Sequence, residues 1–126
     1  MAADSVAPAA VSARPVIKTV TAWNGSDLGH YLTGPVELTI LRVSVPPMAS
    51  SDWHTNPTPV AVYVMSGELH IEVQGTGERQ LVRAGEGFAE IRDLTNRHGT
   101  AGADGAELVV FFAGAPGVPL LGPAVT

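Results

Sequence analysis

Cysteine is absent from the sequence, which excludes disulfides, thiolate nucleophiles and cysteine-ligated zinc and leaves the redox compartment open. Positive charge is scarce. Seven Lys and Arg stand against twelve Asp and Glu, for a net charge of −5, and no basic cluster exists. Affinity for nucleic acid rests on neutralising phosphates, so no nucleic-acid partner is expected. No apolar run approaches the roughly eighteen residues a spanning helix needs. Met1 to Ala13 is rich in Ala and carries Asp4 and Pro8, without the basic and continuously apolar regions of a signal peptide. These absences lead to the expectation of a cytoplasmic protein with no membrane contact.

Helical periodicity is missing too: nowhere do apolar residues recur at i, i+3, i+4 and i+7 over a helical length. What is present is β-rich sequence with regular punctuation. Hydrophobic residues make up 45% and charged residues 15%, a globular composition far from the signature of disorder, and 126 residues suit one domain. Residues 1–15 read as a flexible N-terminal arm ending at Pro15. Strand-like runs follow at 16–20, 37–45 (stopped by Pro46-Pro47), 60–65 (ended by Ser66-Gly67), 68–73, 79–82, 88–91 and 107–112. In the run at 68–73, Leu69, Ile71 and Val73 alternate with polar residues and share one face. Fourteen glycines and ten prolines fall mostly between these runs, where turns belong. Short strands at this spacing argue for a sandwich or barrel, and a jelly roll fits best because it covers edges that would otherwise aggregate. The expected layout is an all-β barrel over 16–122 with a short tail at 123–126.

A specific pattern stands at 46–67, Pro-Pro-Met-Ala-Ser-Ser-Asp-Trp-His-Thr-Asn-Pro-Thr-Pro-Val-Ala-Val-Tyr-Val-Met-Ser-Gly. It resembles the first cupin motif: a His-x-His pair on one strand, a Glu some four residues on, and a Gly seven residues after the Glu. Gly85 to about Thr100 resembles the second motif, a Gly-acid turn, a strand, then a His. With the closing Leu-Val-Val-Phe-Phe-Ala-Gly strand at 108–114, the resemblance runs from about Val16 to Leu120. It implies a cupin-like double-stranded β-helix, that is, a jelly-roll barrel in one domain with an internal pocket.

Cupins usually hold one divalent transition metal with three His and one Glu, and here the carry-over is poor. His54 matches the first His, but Asn56 stands at the second and Val60 at the Glu. An ungapped alignment of the second motif from Glu90 to Leu108 puts Asn96 at the third His; a two-residue loop adjustment puts His98 there instead. Imidazole is a good ligand for such metals, a carboxamide oxygen a weak one, and valine donates nothing. The expected cofactor is therefore none, with a minority reading of one divalent transition metal held by His54, Asn56 and His98.

His54 is the candidate proton-transfer group, because an imidazole near its unperturbed pKa of ~6.5 titrates close to working pH. The alternative is a hydrogen-bonded barrel histidine with no chemical role. Asn56 shares the strand face of His54, and Asn96 enters from the second motif. Both amides suit substrate anchoring, or else a small polar network filled by water. Glu90 alternates with Phe88, so an inward Phe88 brings Glu90 to the pocket, where desolvation would suit it to acid–base work; otherwise it is a rim carboxylate paired with Arg92 or Arg97. Val60, Val62 and Phe88 complete the expected substrate-binding wall. Tyr63 and His70 read as facing away, and His30-Tyr31 as a surface loop. Arg42 is placed either in an ion pair or against a ligand acid.

Three functions follow. The first is a small-molecule enzyme with a metal-poor or metal-free pocket, catalysing isomerisation, cyclisation or elimination, with His54 and Glu90 catalytic. The second is a non-catalytic small-molecule binding or sensor module. The third is a divalent-metal-dependent oxygenase or lyase with altered ligands. A homodimer is expected, through an edge strand at Val16–Val20 and the apolar stretch Gly117-Val118-Pro119-Leu120-Leu121.

Overall fold

Alternation of apolar residues with period two builds six antiparallel strands and no helix in the computed structural model, which describes residues 11–123, with the backbone alone for 93–98. The strands are β1 (Glu37–Val45), β2 (His54–Asn56), β3 (Val60–Val73), β4 (Arg79–Arg83), β5 (Gly87–Ala89) and β6 (Asp93–Gly114). They run β1-β6-β3-β4 across the sheet, with β2 paired to β6 and β5 paired to β3.

β3 is the central element. Val60, Val62 and Val64 are buried in its first half and Leu69, Ile71 and Val73 in its second, so the inward parity changes from even to odd. The cause is a bulge. Val64 pairs with Leu108 and Ser66 with Glu107, which leaves Met65 as one extra residue on β3. An extra residue flips every later side chain to the other face, and the sequence compensates by flipping its own apolar pattern. Ser66-Gly67 is therefore not the end of a strand, contrary to the sequence expectation; β3 continues through it. Gly67 has φ +76°, and a Cβ there would run into the backbone carbonyl of Gly105, so only glycine lets β3 and β6 approach at this point.

The last strand is likewise longer than the 107–112 expected, because Gly99, Gly102 and Gly105 lie within β6 rather than between strands. Pairs Gly67–Ala106 and Leu69–Ala101 bracket an irregularity that β6 absorbs. β5 ends at Ala89 rather than Ile91. The stretch 16–20 forms no strand. Its residues are exposed, and the segment after it forms an isolated bridge between Thr21 and Asp27 rather than a strand. Within the single chain, the strand expected at 16–20 is thus not formed. Residues 1–10 of the N-terminal arm and 124–126 of the tail lie outside the described residues.

One apolar cluster fills the interior between β3 and β6, with Phe88 from β5 and Val82 from β4. A smaller one, Ala22, Val73 and Ile91, sits under the 21–28 segment. That segment is tied down where Trp23 N donates to the Ala89 carbonyl (3.0 Å). Among the described residues no helix is long and apolar enough to cross a membrane.

Candidate functional site

β2 is three residues long, and its alternation decides what the interior meets. His54 and Asn56 point to one side and line an interior cavity of about 270 Å3. Thr55, between them, is buried on the other side. There it is held by the C-terminal segment: Thr55 N donates to the Gly122 carbonyl (3.2 Å), Gly122 N donates to the Thr55 carbonyl (2.7 Å), and Thr55 Oγ1 donates to the Pro123 carbonyl (3.1 Å). This clamp lays Leu120 and Leu121 along the same cavity. The apolar stretch at 117–121, unexplained by its own sequence, thus contributes part of the cavity lining.

β3 and β5 supply the opposite wall. Val60 and Val62 from β3 and Phe88 from β5 are buried and line the cavity, and Glu90, following β5, lines it too. Glu90 N donates to the Val60 carbonyl (2.9 Å), which fixes the carboxylate's segment against β3. Leu41, Val43 and Val45 of β1 add a third apolar side. The structure therefore brings His54, Asn56, Val60, Val62, Phe88 and Glu90 round one space. The side chains of Asn96 and His98 lie outside the described residues. So does that of Arg97, whose backbone pairs with His54.

The polar groups have distinct states. His54 Nδ1 lies 2.9 Å from the Asp52 carbonyl. A carbonyl can only accept, so Nδ1 carries the proton, and in the neutral ring Nε2 keeps its lone pair. Asn56 is 1% exposed, and both Oδ1 and Nδ2 lack a hydrogen-bond partner. Leaving a buried carboxamide without partners costs roughly 1–3 kcal/mol by mutational measures, so a ligand or cavity water that pairs with Asn56 is favoured by about that much.

Four residues outside the expected set shape the site. Ser51 lines the cavity, accepting from Gly99 N through its Oγ (3.1 Å) and pairing with Gly99 through its backbone. Leu120 and Leu121 are the second and third. Arg92 is the fourth. Its NH1 donates to the Leu28 and His30 carbonyls (2.8 Å each) and its NH2 to the Pro57 carbonyl (3.2 Å), so its guanidinium ties the 28–30 loop to the turn between β2 and β3. None of these has a local sequence signal, because each depends on contacts many residues away. Tyr63 and His70 are exposed, as is Tyr31. Arg42 is exposed and pairs with Glu107 (3.8 Å), outside the cavity.

Among the described residues no three His, Cys, Asp or Glu side chains converge. At the positions where a cupin holds its metal this chain presents an imidazole (His54), a carboxamide (Asn56) and an alkyl group (Val60). By themselves these three described residues are a poor donor set for a transition metal; the remaining position falls on Asn96 or His98, whose side chains lie outside the described residues, and no chemical step below runs through a metal.

Solved structures share this fold. An RmlC-like cupin from Shewanella frigidimarina overlays with a TM-score of 0.55 at 22% identity, over 64% of this chain and 69% of that one. A recombinant oxalate oxidase in complex with glycolate gives 0.54 at 28% identity, over 64% of this chain and 44% of that one. The 11S globulin of Wrightia tinctoria, whose structure reveals an auxin binding site, gives 0.56 at 23% identity, over 63% and 21%. This chain thus spans less than half the length of the second and about a fifth of the third. No family model and no curated protein matches it. Together the topology and these likenesses define the class: the chain is a cupin in fold, an all-β jelly-roll barrel.

Proposed function

We propose that the protein is a small-molecule enzyme working by acid–base chemistry, an isomerisation, cyclisation or elimination, with His54 and Glu90 as its proton-transfer pair. The observation that carries this reading is the meeting of His54, Asn56 and Glu90 at one cavity whose remaining walls are largely apolar. A base and an acid facing one substrate suffice to move a proton from one of its atoms to another. His54 Nε2 is the acceptor, its tautomer set by the Asp52 carbonyl. Glu90 returns a proton at a second position, and exchange between the two groups restores the starting state. Apolar walls keep water from competing for the intermediate.

The test is deuterium wash-in. A panel of small apolar carbonyl compounds, ketones, lactones, carboxamides and lactams, is incubated with the protein in D2O and read by mass spectrometry. Incorporation that disappears in His54→Ala supports the reading, and a panel with no incorporation removes it. The second reading, a binding module without turnover, is favoured by the apolar character of the cavity and by the likeness to a globulin with an auxin binding site. It predicts ligand capture with no wash-in.

A further inference from the structure

Among the described residues, Asn56 is the one buried polar group of the cavity whose two hydrogen-bonding atoms both go unused. It is 1% exposed, so bulk water does not serve it, and it lines the cavity. Its strand neighbours do not compete for it: Thr55 is turned to the C-terminal segment, and His54 Nδ1 is taken by the Asp52 carbonyl. A carboxamide in this state offers a donor and an acceptor side by side. Rotation of the amide exchanges the two atoms without changing that pairing, so the complementarity holds in either orientation.

We propose that Asn56 anchors a compact, neutral, largely apolar ligand through one amide-type edge, a donor beside an acceptor, as in a primary carboxamide or a lactam. The proposal rests on the reading of this cavity as the small-molecule site and specifies what it takes. Three observations set the class. First, only a ligand with both functions satisfies both Asn56 atoms; an ionised carboxylate has acceptors alone and leaves Oδ1 facing another acceptor. Second, among the described residues the cavity is lined by no Lys or Arg, so none of these provides a fixed positive charge to pair with an anion. Third, the remaining wall is aliphatic and aromatic, Val60, Val62, Ile71, Phe88 and Leu108, and suits a hydrocarbon body. A cavity of about 150 Å3 holds benzene. At about 270 Å3, this one suits a ligand of about ten non-hydrogen atoms.

The test uses the full chain and calorimetric titration with benzamide and ε-caprolactam, against N,N-dimethylbenzamide, which lacks the donor, benzoate, which is anionic, and ethylbenzene, which has no polar edge. The two amides are expected to bind at least about tenfold tighter than the first two controls, because a buried polar pair left unmatched discriminates strongly. Asn56→Leu is expected to remove that preference while ethylbenzene binds as well or better. Should Asn56→Leu fail to fold, the wild-type probe series still decides, and the side-chain amide resonances of Asn56 should shift on adding benzamide. Affinities equal within about twofold across the set, no binding of any amide at millimolar concentration, or an amide preference that survives Asn56→Leu would overturn the proposal. The two readings fail separately. Amide-selective binding in a chain whose wash-in survives His54→Ala upholds the anchor and removes the acid–base pair; loss of wash-in in His54→Ala without amide selectivity does the reverse.

Discussion

β2 and β3 border the same cavity and are built on opposite terms. β3 runs fourteen residues, pairs with β4, β5 and β6, and turns six aliphatic side chains inward, with Val64 at 0% exposure. β2 runs three residues, shifts register against β6 between His54 and Asn56, and leans on the C-terminal segment for its other edge. β2 carries His54 and Asn56 to the cavity; β3 presents only apolar side chains there. Burial of aliphatic surface on β3 and its neighbours supplies the stability, and part of that surplus offsets the unpaired amide on β2. A natural protein tolerates such a local cost where function needs the group.

That contrast can be broken by four substitutions. The largest effect is expected on β2 and on activity, not on folding. His54→Ala should lower wash-in by ~10²–10⁴-fold, about 3–5 kcal/mol in the barrier, while the unfolding free energy changes by less than about 1 kcal/mol. Equal losses in both would mean that His54 holds the fold. On β3 the order reverses. Gly67→Ala places a Cβ against the Gly105 carbonyl at a φ of +76°, and chemical denaturation should show a loss of about 3 kcal/mol. Wild-type stability in that variant would mean the two strands do not approach as closely as described. Val64→Ala opens a void in the cluster between β3 and β6 and should cost about 2 kcal/mol. Because Val64 is not among the residues that line the cavity, ligand affinity should change less than about threefold.

The sequence reveals β3 and β2 unequally, and the reasons are physical. Period-two alternation is a local signal, so β1 at 37–45 and the inward faces of β3 can be read directly from it. Gly and Pro are read as punctuation, and that rule misplaces the ends of β3 and β6. Gly67, Gly99, Gly102 and Gly105 serve bulges and close approaches inside strands, which only the partner strand reveals. Val16–Val20 fails in the other direction: its β-branched content is a propensity that no neighbouring strand of the same chain takes up, and strands are stabilised by their cross-strand neighbours. In the site, His54, Asn56, Val60 and Glu90 can be found because motif spacing and parity point to them. Ser51, Arg92, Leu120 and Leu121 cannot, since what they touch lies about thirty to seventy residues away along the chain.

The smallest expected effect probes the edge on which β2 leans. Thr55→Val keeps the shape of the side chain and removes one hydrogen bond, that from Oγ1 to the Pro123 carbonyl. The backbone pairing of Thr55 with Gly122 remains, and Pro123 is exposed, so water takes over at its carbonyl and no buried acceptor is stranded. The cost should be about 0.5–1 kcal/mol, well below that of Val64→Ala. Its local signature should be clearer than its global one. Amide hydrogens of Thr55 and Gly122 should exchange faster than in the wild type, while those of β3 keep their protection, because local opening of a weakly held edge does not require the core to open. Leu120 and Leu121 would then leave the cavity more often, and bound ligand should dissociate faster with little change in the rate of chemistry. If β3 amides lose protection along with Thr55 and Gly122, the two strands open as one unit and the division of labour between them fails.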